Sequence, residues 1–317
     1  MKQAIWIGLA SLLLCSHLSL PGTAEAMAEK DYATLQSGQL TCTIGNNAAR
    51  GNHRAGYNGV FELTSIHQAE NLFVPLYAGL NLEHVFDGSA RGNDRDVFFE
   101  PRVEPMEFEQ IDSNTVVLRQ TALPVWKMES ETTFRLVNPY YLDVTFSCVP
   151  HEDHFEGGAF GLFWASYINA PLDKSIYFLR PGQDGAMVWQ QFCTQYHNHN
   201  STVRSREDNF VWTFAADAPD SLFANDSEIR YAEPFFYGRF RNMVFIVIFE
   251  KTEGIRIAHS PSGGGSTPAG DDTNPAWDFQ WVIPDYEVGK TYQLTYRVVY
   301  KQWVDRADVL AEVARFY

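Results

Sequence analysis

Two histidine clusters hold the residue types in this chain that could do chemistry. His151-Glu152-Asp153-His154 opens a stretch that His197-Asn198-His199 closes. Four of the eight histidines beyond residue 26 lie in these two runs, so a site built on imidazole would draw on them first. Imidazole ionises near neutrality and serves as both proton carrier and metal ligand. In a strand, residues i and i+2 face the same way, which would aim His197 and His199 at one point. As acid/base groups, one histidine would protonate a ring oxygen while a carboxylate takes a hydroxyl proton. As metal ligands they would need a third donor, which His151 or His154 supplies only if the two runs meet in space. As a polar loop they would do neither, and the Asn, Ser, Thr and Arg around them fit that reading as well. Phe163, Trp164, Tyr167, Tyr177, Trp189 and Tyr196 lie between the clusters. Flat apolar faces interleaved with polar groups suit a saccharide, and Trp164 and Trp189 are the candidate walls of its site. No metal or cofactor is assigned.

Other polar stretches compete with these. Residues 45–59 are rich in glycine and carry Arg50, His53 and Arg54. Their glycines lack the spacing of a phosphate-binding loop. They form either a plain loop or one in which Arg54 and His53 recognise an acidic or hydroxyl-rich sugar. Residues 81–84 and 87–96 read as a polar stretch with room for a structural calcium ion. His151 to His154 follow Pro150 directly, as a solvated turn would. The nucleophile elbow of serine hydrolases is missing, and paired acids for glycoside hydrolysis cannot be chosen among so many carboxylates.

The elements that must position these groups are strands. From residue 39 onward, short runs rich in Val, Ile, Phe, Tyr and Thr are broken by Gly, Pro, Asn and Asp, a pattern of antiparallel β-structure. Expected strands include residues 40–44, 60–65, 96–101, 127–137, 141–149, 158–167, 186–192, 210–214, 243–250, 277–283 and 292–300, with a hairpin turn at Asn138-Pro139. Only residues 304–316 read as a helix, capped by Asp305, with Val309, Leu310 and Val313 on one face. No fixed period marks a solenoid or propeller, and the Gly-, Pro- and Ser-rich residues 260–272 read as a surface loop. The fold class is therefore all-β: a large antiparallel two-sheet sandwich with one C-terminal helix.

Residues 1–26 have the form of a cleaved secretory signal, with Lys2, an apolar core and Ala24-Glu25-Ala26. The apolar core is shorter than the roughly 20 residues a membrane span needs. The expectation is a secreted or periplasmic protein whose residues 27–317 form a single domain. A formal net charge of −15 argues against nucleic acid and anionic membrane as partners, and against long acidic polysaccharides unless arginines gather locally. Cys42, Cys148 and Cys193 remain after the leader. Either Cys148 and Cys193 pair, or all three are buried apolar residues.

Two regions resemble the galactose mutarotase family. One is the hairpin of residues 127–149 leading into Ala159-Phe160-Gly161-Leu162-Phe163-Trp164-Ala165-Ser166-Tyr167-Ile168-Asn169. The other is Trp277-Asp278-Phe279-Gln280-Trp281-Val282-Ile283-Pro284-Asp285, followed by Gly289-Lys290-Thr291-Tyr292 and a last strand ending at Tyr300. Together they cover about a quarter of the chain. The resemblance implies a β-supersandwich over about residues 35–303. It places Asp278 where that family has its base, a Glu, and Gln280 where it has a Gln. Phe163-Trp164 stands where the family has Asn-His, so one sugar-contacting histidine is replaced. Three functions follow as expectations. One is an exported protein that binds and isomerises a saccharide through Asp278 with His197 or His199. The second is a non-catalytic carbohydrate-binding module. The third is a polysaccharide lyase, with a Tyr or His base and Arg50 or Arg54 neutralising the substrate carboxylate.

Overall fold

A computed structural model describes residues 31–218, 223 and 227–317. The leader expected over residues 1–26 lies outside the described residues. In chain order the first strands are β1 (Tyr32–Ser37), β2 (Leu40–Gly45), β3 (Gly59–Ser65) and β4 (Asn81–Phe86). Two short helices follow, α1 (Arg95–Phe98) and α2 (Glu100–Val103). Next come β5 (Glu107–Gln110), β6 (Thr115–Gln120), β7 (Met128–Val137), β8 (Tyr141–Pro150), β9 (Ala159–Ala165), β10 (Ile176–Pro181) and β11 (Met187–Phe192). The last strands are β12 (Thr202–Ser205), β13 (Arg230–Tyr231), β14 (Phe235–Phe240), β15 (Met243–Phe249), β16 (Ile255–Ser260), β17 (Ala276–Pro284) and β18 (Tyr292–Gln302). The chain closes on α3 (Arg306–Phe316).

These strands form a nine-stranded sheet in the order β11-β10-β14-β15-β18-β8-β7-β6-β5 and a six-stranded sheet in the order β13-β12-β16-β17-β9-β4. A smaller sheet, β1-β2-β3, completes the set. All pairs are antiparallel except β12 with β13. Aromatic side chains from the inner faces of the two large sheets meet in the core. Trp164 stacks on Phe279 at 4.9 Å and meets the edge of Phe146 at 4.9 Å. Phe279 in turn meets Phe249 at 4.9 Å and Tyr296 at 5.2 Å. A Cβ at Gly238 of β14 would come within 2.3 Å of the Trp277 ring, so only glycine lets that indole lie against the opposing sheet.

The alternation along β17 separates the two faces of the six-stranded sheet. Trp277, Phe279 and Trp281 point into the core, while Ala276, Asp278, Gln280 and Val282 point outward. The outer face of the nine-stranded sheet packs against α3 through Val309 and Val313. Asp305 caps that helix by accepting from the Asp308 N–H at 2.8 Å. Leu310, expected on the buried face, is 39% exposed.

The expected sandwich and C-terminal helix are present, with several local differences. Residues 96–101 are helical rather than extended, because Asp94 caps α1 and Pro101 occupies the first turn of α2. Residues 210–214 form no strand and cross the outer face of the six-stranded sheet as a loop. β1, β4 and β12 were hidden by their polar residues. No disulfide links Cys148 and Cys193. They lie on β8 and just after β11, five strands apart, or about 24 Å at 4.8 Å per strand, far beyond disulfide reach. Cys42 and Cys148 are core residues, whereas Cys193 is exposed. Among the described residues, no helix is long and apolar enough to cross a membrane.

Candidate functional site

The outer face of the six-stranded sheet carries a cleft of about 270 Å³, near the lower end of what a small ligand fills. Asp278 from β17 and Ser260 from β16 form its floor, with Ala276 and Ala165 as small neighbours. Phe98, Phe99 and Phe163 form an aromatic wall. Glu83, His84, Tyr167 and His197 complete it. These residues come from six segments of the chain, which the six-stranded sheet, the α1 region and the loop of His197 bring together.

Glu83 and His84 reach the cleft through a β-bulge. In the pairing of β4 with β9, Leu82 faces Trp164 and His84 faces Phe163, which leaves Glu83 as the extra residue. A bulge re-aims side chains, so two successive residues serve one face. Glu83 is almost fully buried and heavily partnered. It accepts hydrogen bonds from the Tyr167 hydroxyl, from Asn81 Nδ2 at 3.1 Å and from Arg102 Nη1 at 3.3 Å. His84 Nε2 lies 3.4 Å from Glu83 Oε1, and His84 Nδ1 lies 2.6 Å from the Phe98 carbonyl. Burial by itself would raise the Glu83 pKa, but His84, Arg102 and Tyr167 together bring it down to about 2. The same burial, with Glu83 beside it, pushes the Tyr167 phenol well above its ordinary value. Arg102 also lies over the Tyr57 ring at 3.8 Å, which fixes its plane.

Asp278 presents the opposite case. It is buried, and its Oδ1 accepts the Ser166 N–H at 2.9 Å. Burial raises its pKa well above the carboxylate range, and the charge of Glu83 adds to that, while the Ser166 hydrogen bond opposes it. The cleft thus holds one carboxyl kept ionised and one biased toward its neutral form. Two acids with separated pKa values are what acid/base division of labour requires.

His197 sits at the cleft mouth, exposed on one side and packed on the other. Surrounding protein lowers its pKa, Glu83 raises it and His84 lowers it further. His199, two residues on, does not line the cleft. Residues 195–201 form bends and a turn rather than a strand, so the two imidazoles do not converge. The loop is anchored by His259, whose Nδ1 accepts the Thr194 N–H at 3.2 Å while Nε2–H donates to the Lys174 carbonyl at 2.9 Å.

That anchor predicts a pH response. Burial pushes the His259 pKa down to about 4 from an ordinary 6.5, against the hydrogen bond to Lys174 and with the help of His197. Its folded value lies below the unfolded one, so the neutral ring's stability is complete above pH 6.5 and is lost as pH falls toward 4. A gap of this size amounts to about 3 kcal/mol. The thermal midpoint of wild type should fall across that window. His259→Gln, which keeps a donor and an acceptor, should flatten the fall; an unchanged slope in the variant would place the titration elsewhere.

The remaining expected site residues lie apart from the cleft lining. Trp164 is a core residue on the opposite face of β9, because its neighbour Phe163 takes the cleft side. Trp189 packs against Phe235 and Tyr237 on the outer face of the nine-stranded sheet, under Arg306. His53 is buried, stacked on Phe61 at 3.6 Å, with its ring nitrogens 3.1 and 2.9 Å from the Tyr77 and Tyr57 carbonyls, which makes it a structural tie. Arg54 is exposed, 5.7 Å from the Tyr77 ring. Arg50 stacks on Tyr32 at 3.7 Å. Gln280 shares the face of Asp278 two residues along β17, and its amide donates to Thr202 Oγ1 at 3.2 Å. His151 pairs with Glu129 at 3.0 Å, and His154 packs by Trp126 and Phe155.

With this geometry in view, comparison with solved structures places the fold. A proposed aldose 1-epimerase from Escherichia coli K12 superposes with a TM-score of 0.51 at 12% identity, over 86% of this chain and 99% of that one. The fold is galactose mutarotase-like. A protein from Synechocystis sp. PCC 6803 superposes with a TM-score of 0.51 at 10% identity, over 90% of this chain and all of that one. A galactose mutarotase related enzyme from Lactobacillus acidophilus gives 0.49 at 13% identity, over 86% of this chain and 98% of that one. No family model and no curated protein sequence matches the chain. At such identities the mutarotase-like likeness concerns the path of the chain, and the chemistry must be argued from the side chains.

Proposed function

We propose that this chain is an exported saccharide-binding protein whose cleft exchanges the anomers of a sugar by acid/base chemistry. The observation that carries the proposal is the meeting of Asp278 and His197 in one cleft, beside the aromatic wall of Phe98, Phe99 and Phe163. Sugar C–H faces stack on such rings. A proposed aldose 1-epimerase among the structures of similar fold agrees with this reading.

The direction of proton flow differs from that expected for a carboxylate base. Burial favours a protonated Asp278 and an uncharged His197. In that state Asp278 gives its proton to the ring oxygen while His197 takes the proton of the anomeric hydroxyl. The C1–O5 bond breaks and the hydroxyl becomes the aldehyde carbonyl. Rotation about C1–C2 and closure on the other face return both protons. Neither step needs a cofactor.

Proton NMR of freshly dissolved α-anomers, across a panel of aldoses, tests this. Equilibration faster than in buffer alone, abolished by Asp278→Asn, is the expected result. The second reading, a non-catalytic module, is favoured by the depth of Asp278, which is 1% exposed. Saturable sugar binding with equilibration no faster than in buffer would establish it instead. The lyase reading has less support, since neither Arg50 nor Arg54 lines the cleft.

A further inference from the structure

Three arginines stand in one row across the same face of the six-stranded sheet. Arg204 on β12 pairs directly with Arg230 on β13 and with Arg256 on β16. Directly paired residues of neighbouring strands project to the same side. The row continues through Gln280, opposite Arg256, and Phe163, opposite Gln280, and so runs into the cleft. On a protein with a formal net charge of −15, such a gathering of positive charge requires a reason.

The charges that act on Arg230 and Arg256 do not balance among the described residues. Asp208 accepts from Arg256 Nε at 2.7 Å and Nη2 at 3.2 Å. The Phe210 carbonyl accepts from Arg256 Nη2 at 2.8 Å and from Arg204 Nη1 at 3.0 Å. Arg230 reaches only backbone carbonyls, of Ser227 and Ile229. Among the described residues, Asp208 is the one carboxylate that hydrogen-bonds to any of the three guanidinium groups, and it pairs with Arg256 alone. Two donors in the row remain unmet although they are buried: Arg256 Nη1, on a side chain with no exposed surface, and Arg204 Nε. Gln280 Oε1, beside them, is an unmet acceptor. Burial and then the repulsion of Arg204 lower the Arg230 pKa, and Arg204 also acts in that direction on Arg256. Buried charged donors left unpaired are costly, and a planar guanidinium pairs best with a carboxylate or sulfate.

We infer that Arg204, Arg230 and Arg256 form an anion subsite that receives the carboxylate or sulfate of an acidic saccharide whose reacting end lies at Asp278. The inference rests on the saccharide reading of the cleft. Strand spacing sets its reach. Arg256, Arg204 and Arg230 are one, two and three strands from Asp278 and two residues along, about 8, 12 and 16 Å between Cα atoms at 4.8 Å per strand and 3.3 Å per residue. An acidic group that meets Arg204 and Arg230 therefore belongs to a neighbouring residue of an oligosaccharide, not to the ring at Asp278. The overall negative charge repels long polyanions, so short chains or chain ends are the ligands.

The test uses trimers of galacturonate, glucuronate and mannuronate, each beside its carboxyl-reduced counterpart, with binding measured by calorimetry on the full protein. At least one acidic trimer should bind tenfold or more tightly than its reduced partner. That preference should vanish in Arg204→Gln/Arg230→Gln, while the reduced trimer binds as before. Arg256 is left intact because its pair with Asp208 is structural, and the thermal midpoint of the double variant checks its fold. Equal binding of acidic and reduced trimers, or a preference that survives in the double variant, overturns the inference and leaves the saccharide cleft standing. If no trimer binds, inorganic sulfate decides. Sulfate binding lost in the double variant keeps the arginine subsite and removes the saccharide reading, whereas absence of sulfate binding removes the subsite.

Discussion

Asp278→Asn should lower anomeric exchange by about 10²- to 10⁴-fold, the range a positioned acid or base contributes, while making the protein more stable at neutral pH. The carboxamide keeps the oxygen that accepts the Ser166 N–H at 2.9 Å, so the shape of the cleft floor is preserved. What it removes is a titrating proton. The folded pKa of Asp278 is raised above its ordinary 3.8, first by burial and then by Glu83. Such a group contributes stability that is fully present below the unfolded value and is lost as pH rises through the folded one. Above neutrality the buried carboxyl is a burden on the fold that asparagine does not carry. Thermal unfolding of both proteins between about pH 4 and 8 checks this, with the variant gaining on wild type as pH rises. A variant that loses stability as pH rises would mean the ionised carboxylate is held by a partner, and the acid role would fall with it.

The place of Asp278 was legible because β17 alternates cleanly. Trp277, Phe279 and Trp281 are large and apolar, so Asp278 and Gln280 had to share the other face. β9 offered no such guide. Its seven residues are all buried, with the core on one side and the cleft wall on the other, so the sequence could not say which of Phe163 and Trp164 faces the ligand. Trp164, the larger ring, went to the core. His197 reaches the cleft by a route other than strand spacing. A strand would aim it together with His199, whereas a loop, the other reading its polar neighbours allow, presents it alone, tied down by His259. Glu83 and His84 read in the sequence as part of a polar stretch, and strand alternation would allow only one of two neighbours on a face. A bulge breaks that rule, and neither residue type announces one. The arginine row was invisible for a related reason. Arg204, Arg230 and Arg256 are about 26 residues apart in sequence, and register alone puts them side by side.

Glu83→Ala should be among the most damaging single substitutions in the molecule, costing about 3–5 kcal/mol of stability, as breaking one side of a buried ion pair does. The loss leaves Arg102 without its carboxylate, Tyr167 without an acceptor and Asn81 with an unmet amide donor, with Tyr167 and Asn81 buried and Arg102 mostly so. Glu83→Gln should cost less, since the amide oxygen still accepts. The pH dependence has a fixed sign. The folded pKa of about 2 lies below the ordinary 4.5, so this stability is present above pH 4.5 and is lost as pH falls through 2. Over that window the loss is about 3 kcal/mol, and chemical denaturation repeated between pH 5 and about 2.5 should show most of it in wild type and little in Glu83→Gln. The substitution also separates structural from electrostatic action. The charge of Glu83 raises the pKa of Asp278 and of His197. Removing that charge while keeping the shape should move both limbs of the pH–rate profile to lower pH, an effect that mere loosening of the fold would not produce. An unmoved profile with reduced stability would make Glu83 a support for Tyr167 and Arg102 alone.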